Sequence, residues 1–242
     1  MFRNIAIALA ATAAIATPLA AQTASAPTDP KFLAQLREAL KQNPEIIFEA
    51  VAIGQAKQRD QQASQQNAAV AQYRPTLFAA KPFGPVLGNP SAKTTVVEFL
   101  DYHCGYCKRA APIIDKTVAD DKDVRVIVVM RPILGPGSET MARFALAGNL
   151  QGKFQATHDA LYDLPNGEVT DEVLKGVATK AGLNFEKAKA DMTGDVVEAE
   201  LKKHREIAEK MNVGGTPFFV TPKTVIPGAP PSQEEFLKAV KG

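Results

Sequence analysis

Three kinds of hydrophobic patterning follow one another along the chain, and each predicts a different element. From Ile5 to Ala16 the residues are apolar almost without interruption. Further on, Phe32, Leu33, Leu36 and Leu40 recur at helical spacing behind Asp29-Pro30, which reads as an N-cap followed by a proline at the first helical position. Asn43-Pro44 repeats that start signal, and Ile46, Ile47, Ala50, Val51 and Gly54 make the apolar face of a second helix. From Gln55 to Gln72 the chain is rich in Gln and Ala, with almost no large apolar side chain, so it suits a helix but offers no face to a core. Helix sustained from Asn43 to about Tyr73 would be roughly 45 Å long. Short apolar stripes on a polar stem predict self-association at the tip of an arm. The competing reading is a helical hairpin folded back on the rest of the chain.

The third pattern begins after a connector, residues 74–93, which carries Pro75, Pro82, Gly84, Pro85, Gly88 and Pro90, with one short strand near Val86. Thr94 to Leu100 reads as a buried strand and Val124 to Met130 as a second, continuous one. Between them lies a helical pattern that should start at Cys104 and be kinked by Pro112. Strand, helix, strand at this spacing implies a parallel pair with a crossover helix. Ser138 to about Met211 is mainly helical. One helix carries Met141, Phe144, Ala145 and Leu150, Thr170 caps another that ends near Gly182, and Asn184 caps a third. Pro217 to Val220 and Val225-Ile226 read as two short strands, and Ser232-x-x-Glu235 is a capping-box start for the last helix. The fold class is α/β, a thioredoxin fold with a helical insertion at about 138–211, preceded by an N-terminal α-helical arm. The expected segments are 1–26, 27–75 and 76–242.

Composition narrows the setting. Arg3 opens a short basic region before the Ile5 to Ala16 stretch, and small residues follow it, with Ala21 or Ala26 as cleavage points. This is the pattern of a secretory signal peptide, too short and too Ala-rich for a good membrane span. An exported protein is expected, most simply in a bacterial periplasm. The net charge of +2 points to no particular partner, and no basic patch interleaved with aromatics suggests nucleic acid.

The chemistry sits in the only two cysteines, Cys104 and Cys107, in the tetrapeptide Cys104-Gly105-Tyr106-Cys107 at a strand-to-helix junction. A disulfide there would close a loop of about four residues, worth roughly 2 kcal/mol in chain entropy against about 4.7 for a hundred-residue loop. The pair is better placed to exchange electrons than to staple a fold. A zinc site would need four ligands, and besides the two thiols the chain holds only His103, His158 and His204 as nitrogen donors. Cys104, at a helix N-terminus, meets free N–H groups and the positive end of the helix dipole, which favour the thiolate. It is the expected attacker, and Cys107, one turn on, the resolving thiol. His103, Gly105 and Tyr106 flank or separate the thiols and would tune them, His103 either by positive charge or as a plain loop residue. Glu98 interrupts an apolar strand. It either points inward, with a raised pKa and a role in moving a proton to or from Cys107, or faces solvent on an edge strand; the apolar pairs on both sides favour the first. In Gly214-Gly215-Thr216-Pro217-Phe218-Phe219 a proline opens a strand that it cannot join as a donor.

Val86-Leu87-Gly88-Asn89-Pro90, the run Val96 to Cys107 and Gly215-Thr216-Pro217-Phe218-Phe219 together resemble the DsbA-type thioredoxin-like family over about residues 83–242. The resemblance implies that Thr216-Pro217 is cis and lies beside Cys104, and that Glu98 is the buried acid. Gly-Tyr between the cysteines, in place of Pro-His, and threonine before the proline, in place of valine, are similar to the bacterial isomerases of the DsbC type. The arm resembles that of the ScsC and Com1-like branch, whose members can form trimers. The resemblance thus implies a thiol:disulfide oxidoreductase without a cofactor, acting on exported proteins with disulfides or thiols and served by a membrane redox partner. Isomerase or reductase action, dithiol oxidation and Cu(I) binding by Cys104 and Cys107 all stay open, in that order of preference.

Overall fold

The computed structural model describes residues 29–165 and 167–242. The expected signal peptide lies outside the described residues. The chain divides into two compact units, one ending at Lys57 and the other spanning Gln58–Gly242.

The first unit holds α1 (Pro30–Gln42) and the start of α2 (Glu45–Leu77). The Asp29 carboxylate accepts the Lys31 N–H at 3.0 Å, so the cap read from sequence is formed. No residue of α1 is buried. Phe32, Leu33, Leu36, Ile46, Ile47, Phe48, Val51 and Ile53 are all exposed, Phe48 by 75%.

The second unit is built on five strands, β1 (Val86–Gly88), β2 (Thr94–Leu100), β3 (Val124–Met130), β4 (Phe218–Val220) and β5 (Val225–Pro227), in the order β1-β3-β2-β4-β5. β2 and β3 are parallel and joined by the crossover helix α3 (Gly105–Asp120); the other pairs are antiparallel. Between β3 and β4 the chain inserts α4 (Pro136–Leu150), α5 (Phe154–Tyr162), α6 (Asp171–Ala181), α7 (Phe185–Asp191) and α8 (Asp195–Lys210), and α9 (Gln233–Lys241) closes the fold. This is the α/β thioredoxin-like fold with a helical insertion and N-terminal helices. The predicted caps are in place: Thr170 Oγ1 accepts from Val173 N–H, Asn184 Oδ1 from Lys187 N–H and Ser232 Oγ from Glu235 N–H. Gly182 ends α6 at φ 69°, a left-handed turn that suits glycine. One detail differs by local chemistry: Cys104 is an extended N-cap, so α3 proper starts at Gly105, with Pro112 inside the helix.

Strand alternation assigns the two sheet faces. Val96 and Leu100 of β2, with Val124, Val126, Val128 and Met130 of β3, join one cluster beneath α3, α4 and α9. Val97 and Phe99, with Ile127 and Val129, join the other. That second face is roofed by Ile207 and Ala208 of α8 and by Val70 and Leu77 of α2. Here the stem departs from the sequence expectation. Val70 lies inside the Gln-rich stretch and is fully buried, Leu77 ends a helix that continues past Tyr73, and Gln66 Nε2 donates to the Asn212 carbonyl at 3.1 Å. One apolar residue in a polar helix is enough when the facing strand supplies the rest of the contact. Leu77→Ala is therefore expected to lower the urea midpoint of unfolding, at a cost of about 2–5 kcal/mol. An unchanged midpoint would mean that the stem does not dock there.

Candidate active site

The turn after β2 is held by one carboxylate. Asp101 Oδ1 accepts the His103 N–H at 2.9 Å, and Oδ2 accepts the Ile133 and Leu134 N–H groups at 2.8 and 3.1 Å. The Asp101 carbonyl takes the Cys104 N–H at 3.0 Å. A buried aspartate thus locks the approach to the cysteines onto the loop after β3, where otherwise unpaired backbone donors would be costly. Asp101 lies within the run Val96 to Cys107, and nothing local in the sequence marks this task.

Both cysteines are free thiols, Cys104 with 8% exposure and Cys107 with none. The Cys104 thiol donates to the Thr216 carbonyl at 3.2 Å, and the Thr216-Pro217 bond is cis. Burial alone would raise the Cys104 thiol. Hydrogen bonds with Thr216, with the Cys107 and Tyr106 amides and with the Cys107 thiol outweigh it, and the thiol lies below its ordinary value. Burial, then the charge of Glu98, pushes Cys107 far upward. The two thiols are thus set apart, Cys104 lowered and Cys107 raised.

Glu98 is buried and shares its strand face with Val96 and Leu100, the face covered by α3. Burial, then the neighbouring charge of Asp115, raises its carboxyl to about 8. The inward placement is therefore observed. At neutral pH the group holds a proton close to Cys107, on whose thiol it acts directly. The sign of its effect on stability follows. A carboxyl raised from 4.5 to about 8 on folding binds more protons in the native state, so stability falls as pH rises between those values. The whole rise corresponds to at most about 5 kcal/mol. In reduced Glu98→Gln this decline is expected to disappear, the variant gaining a few kcal/mol on wild type between pH ~5 and ~8.5 in urea unfolding. Parallel curves would place Glu98's titration elsewhere.

The remaining expected residues lie around this centre. The His103 ring rests against Gly137, where a Cβ would stand 2.3 Å from Cε1. Tyr106 is 61% exposed beside the thiols, with the Arg109 guanidinium 4.1 Å over its ring. Gly105 has open space where a side chain would be, so packing does not demand a glycine there. Pro217 is buried at the mouth of β4. Two residues with no assigned role join the site. The Tyr102 hydroxyl bonds His158 Nδ1 at 3.0 Å, and both rings pack on Tyr162, at 4.9 and 4.8 Å between centroids. The signal for His158 was a lone histidine on the apolar face Phe154, Thr157, Leu161, and its partner lay 56 positions away.

Comparison with known proteins follows the same lines. A family model described as a DSBA-like thioredoxin domain matches residues 95–241. The chain is 31% identical over 156 residues to Disulfide bond formation protein D of Bacillus subtilis, covering 58% of this chain and 69% of that one. It is 32% identical over 139 residues to the Na(+)/H(+) antiporter NhaA 1 of Salinispora arenicola, covering 55% of this chain but only 21% of that much longer protein. Among solved structures, a thioredoxin-like oxidoreductase from Silicibacter pomeroyi is 39% identical with TM-score 0.63, over 69% of this chain and 95% of that one. ScsC of Proteus mirabilis, in a transitional conformation, is 28% identical with TM-score 0.61, over 87% of this chain and 94% of that one.

Proposed function

The chain belongs to the family of DSBA-like thioredoxin domains, and on that premise we propose that it is a thiol:disulfide oxidoreductase working through its CxxC pair, a disulfide isomerase or reductase of exported proteins. The observation that carries this reading is the arm. Eight large apolar side chains between Phe32 and Ile53 stand in solvent, a surface that a lone chain has no reason to keep. Pairing such arms builds a homo-oligomer, a trimer by analogy with the ScsC-like branch. It also brings several CxxC sites to one substrate, whose binding then gains by avidity. An isomerase must hold a misfolded chain while wrong disulfides are opened and others closed, and multiple sites serve that need.

In this reading Cys104 attacks the substrate disulfide, Cys107 resolves the mixed disulfide, and Glu98, in the minor fraction ionised at neutral pH, takes the Cys107 proton and then returns it. Thr216 and Pro217 border the attacking sulfur, where an extended substrate segment would lie. His103, Gly105 and Tyr106 tune the pair. The signal-like N-terminus supports a periplasmic location, and a membrane redox partner keeps the pair reduced. Recovery of activity from a scrambled multi-disulfide substrate, in mild thiol buffer, tests the assignment. Clear recovery supports it. Failure, in a protein that still oxidises a dithiol peptide, would move the assignment to dithiol oxidase. The lowered Cys104 thiol favours that second reading, since stabilising the thiolate makes the disulfide form oxidising.

A further inference from the structure

We propose that Asp115, His158 and Asp159 form a binding site for a divalent transition-metal ion, separate from the two thiols. Each offers one ligand atom, and the three atoms lie within 4.8 Å of one another, the one such set among the described residues. Two helices build it: Asp115 comes from the middle of α3, while His158 and Asp159 come from α5, with Gln155 one turn earlier.

The histidine is prepared as a ligand. It is only 2% exposed, and its ring is held among the rings of Tyr102, Phe154 and Tyr162. Tyr102 occupies Nδ1 at 3.0 Å and fixes the ring, as outer partners of metal-bound histidines do. With Nδ1 taken by Tyr102, Nε2 is the ring nitrogen through which a metal would bind.

The carboxylates point the same way. Asp115 Oδ1 is buried with no hydrogen-bond partner, an orphan acceptor of the kind native proteins rarely tolerate. Asp159 Oδ1 accepts from Gln155 Nε2 at 2.9 Å, and neither aspartate forms an ion pair with a lysine or arginine among the described residues. Nearby Lys180 is engaged by Asp163. The two carboxylates offer oxygens within 4.8 Å of each other, close enough to repel when both are charged. A dication would satisfy the orphan oxygen and remove the repulsion together.

Two carboxylate oxygens and one imidazole nitrogen suit Zn²⁺, Mn²⁺ or Co²⁺ and leave coordination positions for water. Mg²⁺ and Ca²⁺ prefer oxygen throughout. The donor set also differs from the thiolates that a Cu(I) site would use. Occupancy has a consequence for the redox pair, because Asp115 is the charged neighbour that helps raise Glu98. A bound cation cancels that charge and lets Glu98 ionise at lower pH.

The test uses the mature full-length chain, untagged and oxidised, so that Cys104 and Cys107 are locked in a disulfide and cannot ligate. Calorimetric titration with zinc chloride should give one equivalent per chain and raise the thermal midpoint, and magnesium chloride should do neither. Asp115→Asn and Asp159→Asn, at positions that are not fully buried, should each weaken zinc binding at least about tenfold, and Tyr102→Phe by roughly 10–100-fold through the outer partner. Co²⁺-loaded protein should show visible bands without a thiolate charge-transfer band. No binding by the oxidised chain, or wild-type affinity in both folded aspartate variants, would overturn the site. Neither result depends on exchange activity, so the isomerase reading stands or falls separately.

Discussion

Cys104→Ser is expected to abolish thiol–disulfide exchange, with a loss of roughly three orders of magnitude or more, while leaving the fold intact. The sequence of bonds makes the reason specific. The Cys104 thiolate attacks one sulfur of a substrate disulfide, and the other sulfur leaves as a thiolate. Cys107, once its proton has passed to a base, then attacks Cys104 and releases the second substrate thiol, so the substrate is reduced by two electrons and the pair is oxidised. A serine alkoxide is not available at neutral pH and forms no disulfide, so the first step is lost. Cys107→Ser fails one step later and should accumulate the mixed disulfide, visible as a covalent adduct by mass spectrometry and cleared by added thiol. The two thiols should also differ in alkylation. Cys104, lowered by hydrogen bonds to Thr216 and the α3 amides, should react with iodoacetamide at pH 7, and Cys107, raised by burial and Glu98, should not. Equal labelling, or exchange surviving in Cys104→Ser, would remove Cys104 from the role of nucleophile.

The parts of this site that were legible in the sequence are those whose chemistry is local. A cap or strand depends on near neighbours, so Thr170, Asn184, Ser232 and the apolar runs of β2 and β3 could be read directly. Glu98 was legible because apolar pairs flank it on both sides, Val96-Val97 and Phe99-Leu100, so either strand face is apolar there. What stayed hidden depends on distant partners. Asp101 is one polar residue after a strand until the loop after β3 arrives with two free amides. Tyr102 and His158 are 56 positions apart, and Val70 looks like a solvent residue until the far face of the sheet is built. The Cys104–Thr216 contact spans 112 positions, and it was accessible only through resemblance to a family.

Removing residues 27–57 is expected to abolish isomerisation while dithiol oxidation per active site stays within about twofold. The cut follows from packing. A deletion extended to residue 75 would remove Val70, which is fully buried, and the Gln66 and Arg74 bonds to Asn212 and Pro222, so lost activity could simply report a damaged core. A cut at Lys57 coincides with the boundary of the second unit and removes none of its buried residues. The expected loss is large because linking sites multiplies effective affinity by about 10²–10⁴ without any new contact at the thiols. Ile47→Asp combined with Phe48→Asp tests the same surface in the full-length chain. Both side chains are exposed, so the charges cost a single chain little, whereas buried unpaired carboxylates would split an oligomer. Sedimentation should report monomers for both proteins and a larger species for wild type, with scrambled-substrate recovery lost in step. Isomerisation that persists in a proven monomer would leave the arm's apolar face to some other partner and the chemistry to a single CxxC pair.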